Sequence, residues 1–369
     1  MAESEGSVLS SQVLSAYVLP GRTLDPGRII LEAQAARAAG LGGVWISERF
    51  ALKEPAVLSG MVAASVPGLR IGGTMYAHMR HPVVTASVAN LMQALTGDKF
   101  ILVLARAVPA YFTGYDVPAL TFERLRDYVA LFRSLIAGER IDYEGPLGTF
   151  ANLKLTDRHE GPPPPIMFTA VGPKALAFAG RHCDGVLLHP LLTTQAVARS
   201  AAIVRDAARE AGRDPAAVRV VANVVVAPDL PKDEEAAVIG GRAVTYLQSK
   251  AMGPLLAGVN GWDIGAVENL RSHPSIARFA GRSISEELMR NELVEASQAI
   301  PAEWLDQGTA AGTAVHVAGR LCEYLAAGAD EILLHGSTPD RLGGLVPALS
   351  EMLPACMAQM GRGISGEVS

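Results

Sequence analysis

A few short stretches of this chain carry side chains fit for chemistry. "TAVGPKAL" (169–176) ends an apolar run, passes Gly172, and sets Pro173 and Lys174 at the start of a helical pattern. Open N–H groups at a helix start, with a lysine beside them, suit an anion, and phosphate is the natural occupant. An ordinary turn with a surface lysine has the same local sequence. "VWISERF" (44–50) leads into Glu48 and Arg49. A glutamate there can accept a hydrogen bond from a polar ring or move a proton; it can equally pair with Arg49. "RIGGTMYAHMRHP" (70–82) passes a glycine pair, then sets down Thr74, Met75, Tyr76, His78, Arg80 and His81 before Pro82. That order suits close approach of backbone to a flat ligand, or an ordinary bulge. His78 reads as site-facing and His81 as a helix cap. No third ligand accompanies them, so no metal site is expected. Further apolar runs end in Ala105-Arg106, in His189 and in His335.

The elements that must position these residues are legible. "AARAAGLGGVWIS" (35–47), "LAFAGRHCDGVLLH" (176–189) and "YLAAGADEILLH" (324–335) each read as a helix closed by glycine, a turn and a short apolar strand. Strands apolar on both faces belong to parallel sheets covered by helices. Asp25-Pro26, His81-Pro82 and Thr338-Pro339 mark helix starts. Val84, Val88, Leu91, Met92 and Leu95 share one helix face; Leu125, Tyr128, Val129, Phe132 and Leu135 share another. Strands are expected near 13–19, 43–47, 69–75, 99–104, 165–169, 184–188, 218–226 and 330–335. Repeated β/α units of this number predict an α/β (β/α)8 TIM barrel, whose chemistry sits at the carboxyl ends of the strands. Residues 139–160 read as a hairpin excursion. Residues 229–311 exceed one crossover helix and read as a helical insertion after strand 7, covering the barrel mouth or merely decorating it.

Bulk properties narrow the field. The chain has 369 residues, 49% hydrophobic and 19% charged, which suits a globular protein with a large core. A net charge of −5 with no basic stripe argues against a nucleic-acid partner. Cys183, Cys322 and Cys356 form neither a CxxC pair nor a zinc-spaced set. "MAESEGSVLSSQVLSAYVLPG" lacks a basic n-region and does not read as a secretory signal; no apolar run of about 18 residues predicts a membrane span. A cytoplasmic setting is expected. There is no GxSxG elbow, no Walker A loop and no GxGxxG after a strand.

Taken in order, "AARAAGLGGVWISERF", "IGGTMYAHMRHPVVTA", "DKFILVLARAVPAYF", "PPPPIMFTAVGPKALAFAGRHCDGVLLH" and "AGRLCEYLAAGADEILLHG" resemble the luciferase-like flavin and deazaflavin oxidoreductases. The resemblance is narrower to the actinobacterial coenzyme F420-dependent branch, over roughly residues 13–228 and 312–350. It implies a bulge with a non-proline cis peptide at Gly73–Thr74 behind the cofactor ring. It further implies Glu48 near the ring edge and Tyr76 near its polar rim. Arg106, Ala107 and Tyr111 would follow the ribityl chain, and the backbone of Val171, Gly172, Lys174 and Ala175 would hold the phosphate. Arg22, Arg49, Arg80 and Lys174 would line an exit for an acidic tail. A homodimer is expected on the same ground.

Departures limit what carries over. Arg49 stands where many relatives have a histidine, and arginine cannot exchange a proton near neutral pH. Ala105 and Ala107 replace a glycine-rich turn, and Val108 replaces an acid used by sugar-phosphate-oxidising relatives. Glu48, Tyr76, His78 or a substrate group would then supply any proton. The expected function is hydride transfer between F420 and a small organic substrate, with Glu48 and His78 as catalytic candidates and His189 and His335 as substrate contacts. The alternatives are an FMN-dependent monooxygenase of the same fold and a non-catalytic flavin- or deazaflavin-binding relative. An aldolase would need a Schiff-base lysine at a strand end, and none is convincing.

Overall fold

The computed structural model describes residues 10–20, 25–49, 52–106, 117, 119–278 and 290–359. Eight parallel strands close into a barrel: β1 (Leu14–Tyr17), β2 (Gly43–Ser47), β3 (Arg70–Tyr76), β4 (Phe100–Ala105), β7 (Ile166–Ala170), β8 (Gly185–Leu188), β9 (Arg219–Pro228) and β11 (Glu331–Gly336). Pairing of β8 with β9 completes the ring. Two expectations are thus met, the strand set and the TIM-barrel class. Between β4 and β7, β5 (Ile141–Gly145) and β6 (Gly148–Leu153) form the separate antiparallel hairpin. A short strand β10 (Thr309–Gly312) pairs with β9 outside the ring, within a stretch that sequence reads as helical.

The barrel interior is a packed floor. Trp45, Ile101, Val103, Met167, Leu187, Val221 and Leu333 form one buried cluster, contributed by strands around the ring. Period-two alternation puts Ser15 and Glu331 below this layer. There Glu331 accepts from Ser15 Oγ (2.5 Å) and Arg70 (2.6 Å), and pairs with Arg219 at 2.9 Å. Burial would push this carboxyl up, but Arg70, Arg219 and Ser15 hold it below its ordinary value.

Helices pack outside the ring: α1 (Arg28–Ala38), α2 (Pro55–Ser65), α3 (Pro82–Thr96), α4 (Phe122–Ala137), α5 (Pro173–His182) and α6 (Thr194–Glu210). Three local expectations are corrected. The first helix starts at Arg28, because Asp25 accepts the Gly27 N–H (3.0 Å) in a turn before it. Gly180 lies inside α5, where a Cβ would collide with the Val204 carbonyl of α6, so close helix packing and not a C-terminal turn demands glycine there. On α3 the small residues Thr85, Ala86 and Ala89 face the core with Met92, while Val84, Leu91 and Leu95 are exposed. Close approach of this helix to the strands selects the small face.

After β9 come α7 (Lys232–Leu247), α8 (Met252–Asn260), α9 (Ile264–Ser272), α10 (Pro274–Ala277), α11 (Arg290–Ser297) and α12 (Ala302–Gly308). Helices α13 (Ala314–Ala326) and α14 (Leu345–Gln359) flank β11. No helix among the described residues is long and apolar enough to cross a membrane.

Candidate functional site

The β3 segment does not contain the bulge that the resemblance implied. No peptide among the described residues is cis, and β3 pairs without interruption, Gly73 opposite Ile46 and Leu102, Thr74 opposite Ser47 and Val103. The glycine pair has two separate causes. A Cβ on Gly72 would sit 2.6 Å from Trp45 Cδ2, inside the barrel. A Cβ on Gly73 would sit 3.0 Å from the Phe100 ring, on the opposite face. Each glycine makes room for one aromatic neighbour, and the indole then floors the barrel mouth.

At the upper edge of this floor, two residues past Gly72, Thr74 points inward beside Val103. Its Oγ1 is buried and has no hydrogen-bond partner among the described residues. The same is true of Asn223 Oδ1 and His335 Nδ1, which lie two residues past floor positions Val221 and Leu333. A buried polar atom left unmatched costs about 1–3 kcal/mol, so a polar ligand is the natural complement.

Glu48 is held from both sides. Its Oε2 accepts the Tyr76 N–H at 2.7 Å and its Oε1 the Arg80 guanidinium at 3.2 Å, while Arg80 also pairs with Glu54. The sequence left open a pair with Arg49; the partner that the structure gives Glu48 is Arg80, from the exit of β3. Glu48 therefore fixes the exit of β3, and Arg80 is committed to carboxylates and does not line an anionic exit. His78 sits in a single 3-10 turn (Ala77–Met79), its ring centroid 6.0 Å from that of Tyr76. Burial, then Arg124, pushes its pKa down, so the ring is neutral at pH 7. His81 caps α3 through Nδ1, as its place before Pro82 suggests.

Helix α5 begins directly after β7, with Gly172 at its N-cap and no side chain closing it. By contrast Thr121, Thr193 and Thr313 cap α4, α6 and α13. Lys174 is exposed in that first turn, while Val171 is buried and Ala175 half-buried. Across two strand spacings, about 10 Å, the open N–H groups of α5 and the Thr74 hydroxyl share the carboxyl end of the barrel. Arg106 is exposed and stacks its guanidinium 4.6 Å over the Phe122 ring. A groove of about 630 Å³ beside it is lined by Phe122, Lys174, Phe178, Arg126 and Arg181. Ala107 and Tyr111, like Arg22 and Val108, lie outside the described residues.

His189 and His335 converge on Tyr246 of α7, a residue that sequence reasoning did not single out. Tyr246 Oη is 2.8 Å from His335 Nε2, and its ring lies edge-on to His189 at 4.9 Å. Tyr17 packs edge-on to His335 at 4.7 Å. Its only sequence signal is the spacing of Tyr246 four residues after Arg242 on a helix. His189 Nδ1 donates to the Pro190 carbonyl (2.7 Å), which leaves Nε2 as an acceptor. Burial pushes the His189 pKa down to about 4, against that hydrogen bond. Burial, with Arg242, His189, Arg49 and Lys53, holds His335 well below its ordinary value. The pair of neutral rings and a phenol can orient a small polar group without carrying charge. Among the described residues no cluster of three His, Cys, Asp or Glu could hold a metal ion.

A ring with a polar rim and a phosphate tail fits this mouth: unmatched buried polar atoms over an apolar floor, and an open helix end beside them. Comparison with known proteins gives the family. Residues 6–331 match the family model described as luciferase-like monooxygenase. The 5,10-methylenetetrahydromethanopterin reductase of Methanolobus tindarius is 29% identical over 198 residues, 52% of this chain and 58% of the relative. The F420-dependent hydroxymycolic acid dehydrogenase of Mycobacterium tuberculosis is 28% identical over 215 residues, 54% and 58%. The chain thus spans less than two thirds of the length of these two relatives. In fold, the coenzyme F420-dependent tetrahydromethanopterin reductase of Methanopyrus kandleri superposes with a TM-score of 0.77 at 18% identity, covering 92% of this chain and 98% of that one. The eight-stranded barrel with an open βα turn at Gly172, matched over most of its length, belongs to the luciferase-like monooxygenase family.

Proposed function

We propose that the protein is a coenzyme F420-dependent oxidoreductase acting on a small organic substrate. The observation that carries this reading is the pairing of an uncapped α5 N-terminus at Gly172–Lys174 with the partnerless Thr74 hydroxyl across the mouth. F420, when bound, supplies a deazaflavin carbon that accepts or gives a hydride. The protein's part is to bind, orient and exclude water. The N–H groups of the α5 first turn and Lys174 receive a phosphate; Thr74 meets the ring's polar side; the Trp45 floor keeps the site dry. Glu48 holds Tyr76 and Arg80 in place, and His335 with Tyr246 presents a neutral hydrogen-bonding pair to a substrate oxygen. The name of one sequence relative, an F420-dependent dehydrogenase, favours F420 over FMN.

The protein is further proposed to act as a cytoplasmic homodimer, with the exposed apolar face of α3 as the contact. Reduced F420 incubated with the protein and a panel of ketones, aldehydes and imines tests the reaction. Return of the oxidised deazaflavin absorbance with one of them is the expected result. Binding without turnover across the panel would leave a non-catalytic cofactor-binding protein.

A further inference from the structure

The barrel mouth holds a group of cations on the side away from the open α5 terminus. Arg49 and Lys53 form an antiparallel bridge, with the Lys53 N–H donating to the Arg49 carbonyl at 2.9 Å and the Arg49 N–H to Lys53 at 3.4 Å. Residues bonded reciprocally in this way project their side chains to one side. Lys53 Nζ reaches the Leu19 carbonyl just past β1. Arg242 lies four residues before Tyr246 on α7, on the same helix face, and Tyr246 bonds His335. All three cations are half-buried. No carboxylate among the described residues forms an ion pair with Lys53 or Arg242.

The electrostatics of this group are lopsided. Burial, then Arg49 and Arg242, pushes the Lys53 ammonium down to about 8; Glu32 opposes them. Glu32 is itself pushed up by burial and is occupied by the Leu19 N–H at 2.5 Å. Glu48, next to Arg49 in the chain, is tied to Arg80. Lys53 and Arg242, like charges in a partly desolvated mouth, are unfavourable together unless an anion joins them.

Position decides what the anion is. In the ring order β1, β2, β3, β4, β7, β8, β9, β11, strand β1 stands opposite β7. The cations gather over β1, β2 and β11, while the open α5 terminus follows β7. The cofactor phosphate and this cluster therefore face each other across the mouth. We infer that Lys53 and Arg242 form a subsite for an oxyanion, carboxylate or phosphate, carried by the substrate, whose reacting end then lies against Tyr246 and His335. Calling the occupant a substrate rests on the oxidoreductase reading above.

Calorimetric titration with benzoate, its neutral isostere benzamide and inorganic phosphate tests the inference, on wild-type protein with and without F420. Benzoate or phosphate is expected to bind in both states, and benzamide at least tenfold more weakly than benzoate. Arg242→Gln and Lys53→Met, on separate elements and each checked by thermal melting, are expected to weaken anion binding at least tenfold. Arg242→Lys should retain part of it. Binding of neither anion by wild type, equal affinity for benzoate and benzamide, or unchanged affinity in both folded variants would overturn the subsite. If Arg242→Gln weakens F420 as much as it weakens benzoate, the cluster holds the acidic tail of the cofactor and the substrate assignment is wrong. Benzoate bound by a wild-type protein that ignores F420 would support the anion subsite and refute the cofactor reading.

Discussion

Gly72→Ala is a single-methyl perturbation whose cost follows from contacts at the floor of the mouth. The new Cβ would lie 2.6, 2.7 and 3.1 Å from Trp45 Cδ2, Cε3 and Cε2. Carbon atoms rest at about 3.5–4.0 Å, so the indole must retreat by roughly 1 Å. It cannot do so freely: Trp45 is 1% exposed and wedged among Ile101, Val103, Met167, Leu187 and Leu333. Overpacking of this kind costs about 1–3 kcal/mol. Removing a glycine from the unfolded chain returns about 0.4–1 kcal/mol. A net loss of about 1–2 kcal/mol is expected, read as a lower urea midpoint at constant slope. Trp45→Leu removes the ring that the methyl meets. The double variant should then lose less stability than the sum of the singles, with a coupling of roughly 1–2 kcal/mol. Displacing the indole also raises the floor beneath Thr74, so F420 affinity should fall in Gly72→Ala alone. Wild-type stability in Gly72→Ala, with no coupling to Trp45→Leu, would refute this reading of the glycine pair.

Other outcomes follow from the same structure. Glu331→Ala leaves Arg70 and Arg219 facing each other without their carboxylate, and should cost about 3–5 kcal/mol in denaturant unfolding. Because the folded carboxyl is held below its unfolded value, its contribution is present above an unfolded pKa of about 4.3 and fades as pH falls through the folded one. Glu331→Gln should flatten that acid limb of the stability profile. His189 titrates near 4 when folded and near 6.5 when unfolded, so below about pH 6.5 the unfolded chain takes up the proton and stability falls toward pH 4. His189→Gln should remove that part of the slope; an unchanged slope would show that the ring is not buried as described. Leu91 is 59% exposed on the apolar stripe of α3, and Leu91→Glu should turn a dimer into a monomer by light scattering. A wild-type monomer would remove the proposed contact.

The barrel was legible because its signals are local. Short strands apolar on both faces, and glycines Gly40 and Gly328 with left-handed φ after helices, repeat along the chain. His81 before Pro82 and the open turn at Gly172 could likewise be read in place. What the sequence concealed depends on partners across strands or helices. Gly72 and Gly73 look like a bulge, but Trp45 and Phe100 alone explain them, from neighbouring strands. Gly180 looks like a helix end, yet Val204 of α6 demands it. Val84, Leu91 and Leu95 of α3 point to solvent because a small face packs closer. Tyr246 carries no motif; only the path of α7 over the barrel joins it to His189 and His335. Arg80 meets Glu48, a choice set by how the chain leaves β3.

The central claim is that this mouth is built for a deazaflavin. Fluorescence titration of the wild-type protein with oxidised F420, and in parallel with FMN, tests it most directly. The account predicts saturable F420 binding, at least tenfold tighter than FMN and weakened by Lys174→Glu at the open α5 terminus. Tighter binding of FMN, or no binding of either, would contradict it.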